Sequence, residues 1–147
     1  MKPRKSVTSG FEKRDVAVRQ LRRAVQLFNQ GDFVCATTLA GAAEEILGRM
    51  AQKRAGTTAL DGHAHFWSQL ADIVGKPPPE KKKVVTVHNR IRNELKHNDR
   101  GDNEWVRADF EFEARDLIDR AIRNHWLVYD APPHDRVIDN YVQLNWR

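Results

Sequence analysis

Apolar residues recur at helical spacing in one segment after another of this chain, and no segment alternates like a convincing strand. Turn-forming clusters separate these segments, among them "NQGD", "GKPPPEKKK", "NDRGDN" and "APPHDR". Three consecutive prolines in the second cluster exclude a helix there. The pattern predicts helices over roughly 13–30, 33–54, 62–75, 80–97 and 104–128, and a short helix in the C-terminal segment.

These elements predict an all-α fold, an antiparallel bundle of four or five helices with a short C-terminal helix or arm. A length of 147 residues fits one domain, residues 1–147. We expect its core at roughly 13–128, with a flexible tail at 1–12 and an arm at 129–147. The stretch "LAGAA" has small side chains, so a neighbouring helix can approach closely there.

Composition and net charge exclude few classes of protein function. The formal net charge of +5 and the pI of about 9.6 permit binding to nucleic acid but do not require it. No apolar run approaches the ~20 residues of a membrane span, and the N-terminus lacks the apolar stretch of a signal peptide. We therefore expect a cytoplasmic protein that has no membrane partner and no cofactor.

Cys35 is the only cysteine, so an intrachain disulfide and a cysteine-based zinc site are excluded. This cysteine usage is typical of a reducing compartment. Its neighbours Phe33, Ala36 and Leu39 predict a buried, inert thiol.

Two pairs of residues share an Arg-x4-His spacing: Arg92 with His97, and Arg120 with His125. With successive residues turned ~100° around a helix, His125 falls inside an apolar stripe. This position predicts a packed core histidine, with Arg120 at the boundary of the stripe, so we reject the second pair as a site.

The first pair lies on a helix whose core stripe is predicted to contain Val84, Val87, Ile91 and Leu95. Arg92, Asn93, Lys96 and His97 are predicted to point away from that stripe. They form either a solvated polar face or part of a site that a second copy completes across a two-fold axis.

The segment "RNELKH", 92–97, resembles the Arg-polar-x3-His motif of the HEPN superfamily, which comprises small α-helical bundles from prokaryotic toxin–antitoxin, antiviral and RNA-processing systems. The order of helices is similar, and "TLAGAAEEILG", 38–48, looks like the second helix of some bacterial members. The resemblance implies a homodimeric, metal-independent endoribonuclease, a toxin or antiviral defence component, with Arg92, Asn93 and His97 as catalytic residues. Inactive relatives imply an alternative, a helical module that binds RNA or a protein partner such as an antitoxin.

These residue types suit RNA cleavage. The 2′-hydroxyl of RNA is the nucleophile, and a histidine can move its proton near neutral pH. An arginine can grip the phosphate and stabilise its added charge, while Asn93 orients either group. Some toxin members carry a modifiable tyrosine two places after the histidine. This chain has Asp99 there, so the resemblance does not extend to a tyrosine switch.

Charged residues elsewhere offer supporting roles. Lys81, Lys82 and Lys83 either attract phosphate, together with Lys96, or form a solvated helix start. Glu44 and Glu45 are either an exposed acidic pair or include one partly buried carboxylate that pairs with an arginine such as Arg92 and orients it.

The remaining histidines predict no metal site. "HAHFW" holds His63 and His65, a pair that is weak as a metal site without further ligands, and packing at a helix start is the simpler interpretation. His88 lies at the edge of its helix's apolar stripe and is expected to be structural.

Overall fold

A computed structural model describes residues 8–97 and 104–147, and within them the chain forms α-helices and no strand. The predicted all-α class is therefore confirmed. Residues 1–7 of the predicted tail and Asp99 lie outside the described residues. The helices are α1 (Lys13–Asn29), α2 (Phe33–Ala55), α3 (Ala59–Ile73), α4 (Lys81–Lys96), α5 (Phe110–Tyr129) and α6 (Arg136–Asn145).

Local side-chain chemistry sets several helix ends. Gly31 has φ 80°, which reverses the chain after α1, and Asp32 caps α2 by accepting from the Cys35 backbone N–H at 3.2 Å. Asp109 caps α5 by accepting from the Phe112 N–H at 3.0 Å. This cap explains why α5 begins later than the periodicity alone predicts.

The third helix begins earlier than predicted, also because of its cap. Thr58 accepts from the backbone N–H of Asp61 at 3.2 Å, and the Asp61 carboxylate accepts from the backbone N–H of Thr58 at 2.9 Å. This reciprocal capping box satisfies two backbone donors that would otherwise lack partners. It fixes the start of α3, on which His63 lies.

The core lies mainly where α2 packs against α1 and α5. The C-terminal helix α6 closes this core with Ile138 and Tyr141, which are 0% and 2% exposed. The Tyr141 hydroxyl donates to Asp119 Oδ1 at 3.0 Å, and the Trp146 indole donates to the same oxygen at 2.8 Å. The core therefore extends beyond residue 128 into the segment predicted as an arm.

The outer helices α3 and α4 pack against each other and along α2 and α5. Across the described ranges, no helix is both long and apolar enough to cross a membrane.

The predicted burial of Cys35 is wrong, because its side chain is exposed in the first turn of α2. Ala36, Thr37 and Ala40 face the core instead, which turns Cys35 outward. A hydrogen bond with the nearby Asp32 carboxylate raises the pKa of the Cys35 thiol above its ordinary value. The thiol is thus exposed, but it is not activated as a thiolate.

His125 is the packed core histidine that the apolar stripe predicts, with 2% of its surface exposed. Its Nδ1 lies 2.7 Å from the carbonyl oxygen of Ala131, so Nδ1 carries the proton and donates. Burial lowers the pKa of His125 below its ordinary value of 6.5. The folded protein therefore keeps this imidazole neutral at a pH where the unfolded chain protonates it.

We expect this histidine to make the fold sensitive to acid. Neutral His125 makes its full contribution to the free energy of unfolding above pH 6.5, the pKa of a histidine in the unfolded chain. That contribution is lost as the pH falls toward the lower pKa of His125 in the folded protein. His125→Ala should lower the free energy of unfolding at neutral pH by about 1–3 kcal/mol and reduce its decline on acidification. Urea denaturation at several pH values checks both effects, and parallel pH curves for the two proteins would contradict the assignment.

Candidate functional site

The buried face of α4 differs from the predicted stripe. Val84 and Ile91 are buried as expected, but Val87 is 70% exposed. Arg92, predicted to face away from the core, is partly buried, and so is Asn89. The prediction that Arg92 turns away from the core is therefore wrong. The buried face is rotated because Arg92 donates a hydrogen bond to Glu44 of α2 and Asn89 accepts one from Arg120 of α5.

Arg92 is held by Glu44 of α2. Its Nη1 donates to Glu44 Oε2 at 2.6 Å, and the two side chains are 12% and 7% exposed. Gly41 makes this approach possible, since a Cβ there would lie 2.6 Å from Arg92 Cγ. The structure thus confirms that a buried carboxylate pairs with Arg92 and that a neighbouring helix approaches "LAGAA" closely.

Arg120 of α5 binds the other side of the same carboxylate. It is fully buried, so its predicted boundary position is wrong. Its Nη2 lies 3.0 Å from Glu44 Oε1, and its other contacts are Asp116 Oδ2 at 3.1 Å, Asn89 Oδ1 at 2.8 Å and the His88 carbonyl at 3.3 Å. Periodicity could not place it, because a buried guanidinium needs acceptors, and here they come from α2 and α4, which are distant from α5 in the sequence, as well as from Asp116 on α5 itself.

Glu45, adjacent to Glu44, also reaches α4 but interacts near the surface. It accepts from Lys96 Nζ at 2.6 Å and from Arg49 Nη2 at 2.9 Å. The hydrogen bond from Lys96 is the main reason that the pKa of Glu45 lies below its ordinary value. Lys96, predicted to bind substrate, is therefore already paired with a carboxylate.

Asn93 and His97 are both exposed. The helix ends at Lys96, and His97 follows as its C-cap residue in an extended conformation, with φ −130° and ψ 133°. The structure therefore presents Asn93 and His97 to solvent in and just after the last turn of α4, one and five residues after a partly buried, oriented Arg92.

The lysine run at the start of α4 is only partly available to a ligand. Lys81 Nζ binds Asp61 Oδ1 at 2.6 Å and joins α4 to α3. Lys83 lies 3.8 Å from Glu80, where both groups are well exposed, and Lys82 is exposed. Lys82 and Lys83 remain candidates for phosphate attraction, whereas Lys81 has a structural partner.

A second polar group, which the sequence does not reveal, lies on α3, α4 and α5. His63 Nδ1 is 3.9 Å from Asp116 Oδ1, and His88 Nδ1 is 3.6 Å from Asp116 Oδ2. The two imidazole centroids are 5.1 Å apart. No linear spacing could have connected these three residues, because each comes from a different helix.

These three side chains line a cavity of about 760 Å³. Much of the remaining lining is aromatic, from Phe66, Trp67, Phe112, Trp126 and Trp146. Burial lowers the pKa of His63. Burial also raises the pKa of Asp116, but contact with His88 and the charge of Arg120 outweigh this effect and leave that pKa below its ordinary value. The cavity thus combines apolar walls with a neutral imidazole and an ionised carboxylate.

No family model, curated protein or solved structure matches this chain. The features that bear on function are the "RNELKH" motif, the contacts of Arg92 and the cavity.

Proposed function

We propose that this protein is a homodimeric, metal-independent endoribonuclease of the HEPN type that serves as a toxin or antiviral defence component. The single observation that carries the proposal is the orientation of Arg92 by Glu44 at the helix end that exposes Asn93 and His97. An arginine, an amide and a histidine at one helix end are the groups that RNA cleavage through the 2′-hydroxyl needs.

In this proposal Arg92 stabilises the scissile phosphate. Among the described residues, its guanidinium donates one hydrogen bond, to Glu44, and the side chain keeps 12% of its surface exposed. Arg92 Nε is buried, so the N–H donors that remain for a phosphate oxygen are those of the two Nη atoms that Glu44 does not use. The carboxylate holds the planar group in one orientation, which reduces the entropy lost when substrate binds.

His97 moves the proton. Its exposed position allows it to take the proton of the 2′-hydroxyl or to give one to the leaving 5′-oxygen. Arg92 turns toward α2, whereas His97 lies on the solvent side of the α4 terminus. In this proposal a second copy supplies the complementary residue across a two-fold axis.

A second candidate function is a catalytically inactive helical module that binds RNA or a protein partner, such as an antitoxin. The burial of Arg92 favours it, since a guanidinium paired at 2.6 Å with a carboxylate has part of its charge neutralised. In that case the residues that contact the RNA or the protein partner, without a catalytic role, are Asn93, His97, Lys82 and Lys83.

The chemistry of the products tests the first proposal. Purified protein, incubated with a panel of end-labelled RNAs, should give fragments that end in a 2′,3′-cyclic phosphate or its hydrolysed form. DNA of the same sequence should survive because it lacks the 2′-hydroxyl, and EDTA should not change the rate. Light scattering should show a dimer at tens of micromolar. A monomer, or an RNA panel left intact, would favour the inactive module.

A further inference from the structure

We propose that His63, His88 and Asp116 bind one divalent transition-metal ion of the Zn²⁺ class, with an open coordination position that faces the aromatic cavity. This site is separate from Arg92, Asn93 and His97, and it does not depend on the proposed ribonuclease activity.

The spacing of the three side chains suits an ion at their centre. The imidazole nitrogens lie 3.9 Å and 3.6 Å from the carboxylate oxygens, and one ligand atom from each residue falls within 4.8 Å of the others. Ligand atoms about 2.1 Å from a tetrahedral zinc ion are about 3.4 Å apart. Small side-chain rotations therefore bring all three groups into coordination distance.

Direct hydrogen bonds among the three side chains explain their spacing less well than a bound ion does. Both nitrogen–oxygen distances exceed the usual range of about 2.7–3.2 Å for an N–H···O hydrogen bond. Two imidazoles thus face one carboxylate without closing on it. An ion occupying the gap would contact all three groups at once.

The donor set matches the chemistry of such an ion. Two imidazoles and one carboxylate, with a position left for water or another ligand, are a common arrangement for zinc and for non-haem iron. All three side chains are partly buried, at 26%, 20% and 12% exposed. They come from three packed helices, so the folded core holds them together rather than a flexible loop.

A neighbouring arginine holds the carboxylate ligand in place. Arg120, fully buried, binds Asp116 Oδ2 at 3.1 Å and fixes the carboxylate, which leaves Oδ1 for the ion. Arg123 also lines the cavity, and its positive charge, unlike the pairing of Arg120 with Asp116, acts against the binding of a metal cation. The cavity of about 760 Å³ has room for water or a small molecule at the open position.

Metal titration of the untagged, chelator-stripped full chain tests the site. Calorimetry with Zn²⁺ should give one ion per chain, and Co²⁺ should produce the visible absorption of a low-symmetry complex with nitrogen and oxygen ligands. His63→Gln and His88→Gln should each weaken Zn²⁺ binding by at least about tenfold.

His65→Gln is the matched control, because His65 lies on the same helix as His63 but is exposed and outside the cluster. It should bind Zn²⁺ as the wild type does, and circular dichroism should show that every variant is folded. Absence of stoichiometric binding by the wild type would overturn the proposal even if a variant failed to fold. Equal affinities for wild type and a folded His63→Gln would also overturn it. RNA cleavage that EDTA leaves unchanged would support the ribonuclease without affecting this result.

Discussion

Glu44→Ala is expected to lower the free energy of unfolding by about 3–5 kcal/mol, a large share of the stability of a small domain. The substitution removes the carboxylate that Arg92 and Arg120 share and leaves two guanidinium groups, 12% and 0% exposed, without that partner. Burial of an uncompensated charge is far more costly than the loss of one hydrogen bond. Chemical denaturation followed by circular dichroism measures the difference.

Glu45→Ala is the matched control for Glu44→Ala. Glu45 is adjacent in sequence and forms two ion pairs, with Lys96 and Arg49, but its side chain is 34% exposed. Near the surface, water replaces the lost partner, so we expect a loss of at most about 1 kcal/mol. Similar losses for the two variants would show that the buried carboxylate has no special role in the fold.

His97→Ala is expected to lower the rate of RNA cleavage by about 10²–10⁴-fold, if the proposed proton transfer occurs at this residue. Stability should change little, because the His97 side chain is exposed beyond the last turn of α4. Single-turnover kinetics on a sensitive RNA separates the cleavage step from substrate binding.

His125→Ala should give the opposite pattern, a less stable fold with activity retained in the folded fraction, since His125 is buried on α5 and its Nδ1 binds the carbonyl oxygen of Ala131. This contrast distinguishes a catalytic histidine from a structural one in the same chain. Cleavage at equal rates by wild type and His97→Ala would remove His97 from the mechanism and support the inactive module.

Hydrophobic periodicity was sufficient to predict the all-α class and the approximate bounds of the helices. Caps such as Asp32 and breaks such as Gly31 act on neighbouring residues, so their effects can be predicted from short segments. Periodicity also identified His125 as a core residue. The same method predicted Val87 inward and Arg92 outward, and both assignments were wrong.

The wrong placement of Arg92 has one physical cause. A rule based on hydrophobicity places every arginine in water, because burial of a lone charge is prohibitive. Burial becomes possible when a carboxylate from another helix is in reach, and the pairing of Glu44 with Arg92 was anticipated only as one of two alternatives. The cluster of His63, His88 and Asp116 is also a product of packing between distant segments, and no local pattern predicts it.

The shared carboxylate of Glu44 has a consequence for how related sequences should be compared. Arginine at position 92 has a task in folding as well as its proposed task on phosphate, since its loss would leave Glu44 with Arg120 alone. A related protein without catalytic activity would still need that arginine for stability. The exposed histidine at position 97 would be under no such constraint. Under the proposed function, the identity of residue 97 should therefore separate active homologues from inactive ones, and the persistence of Arg92 should not.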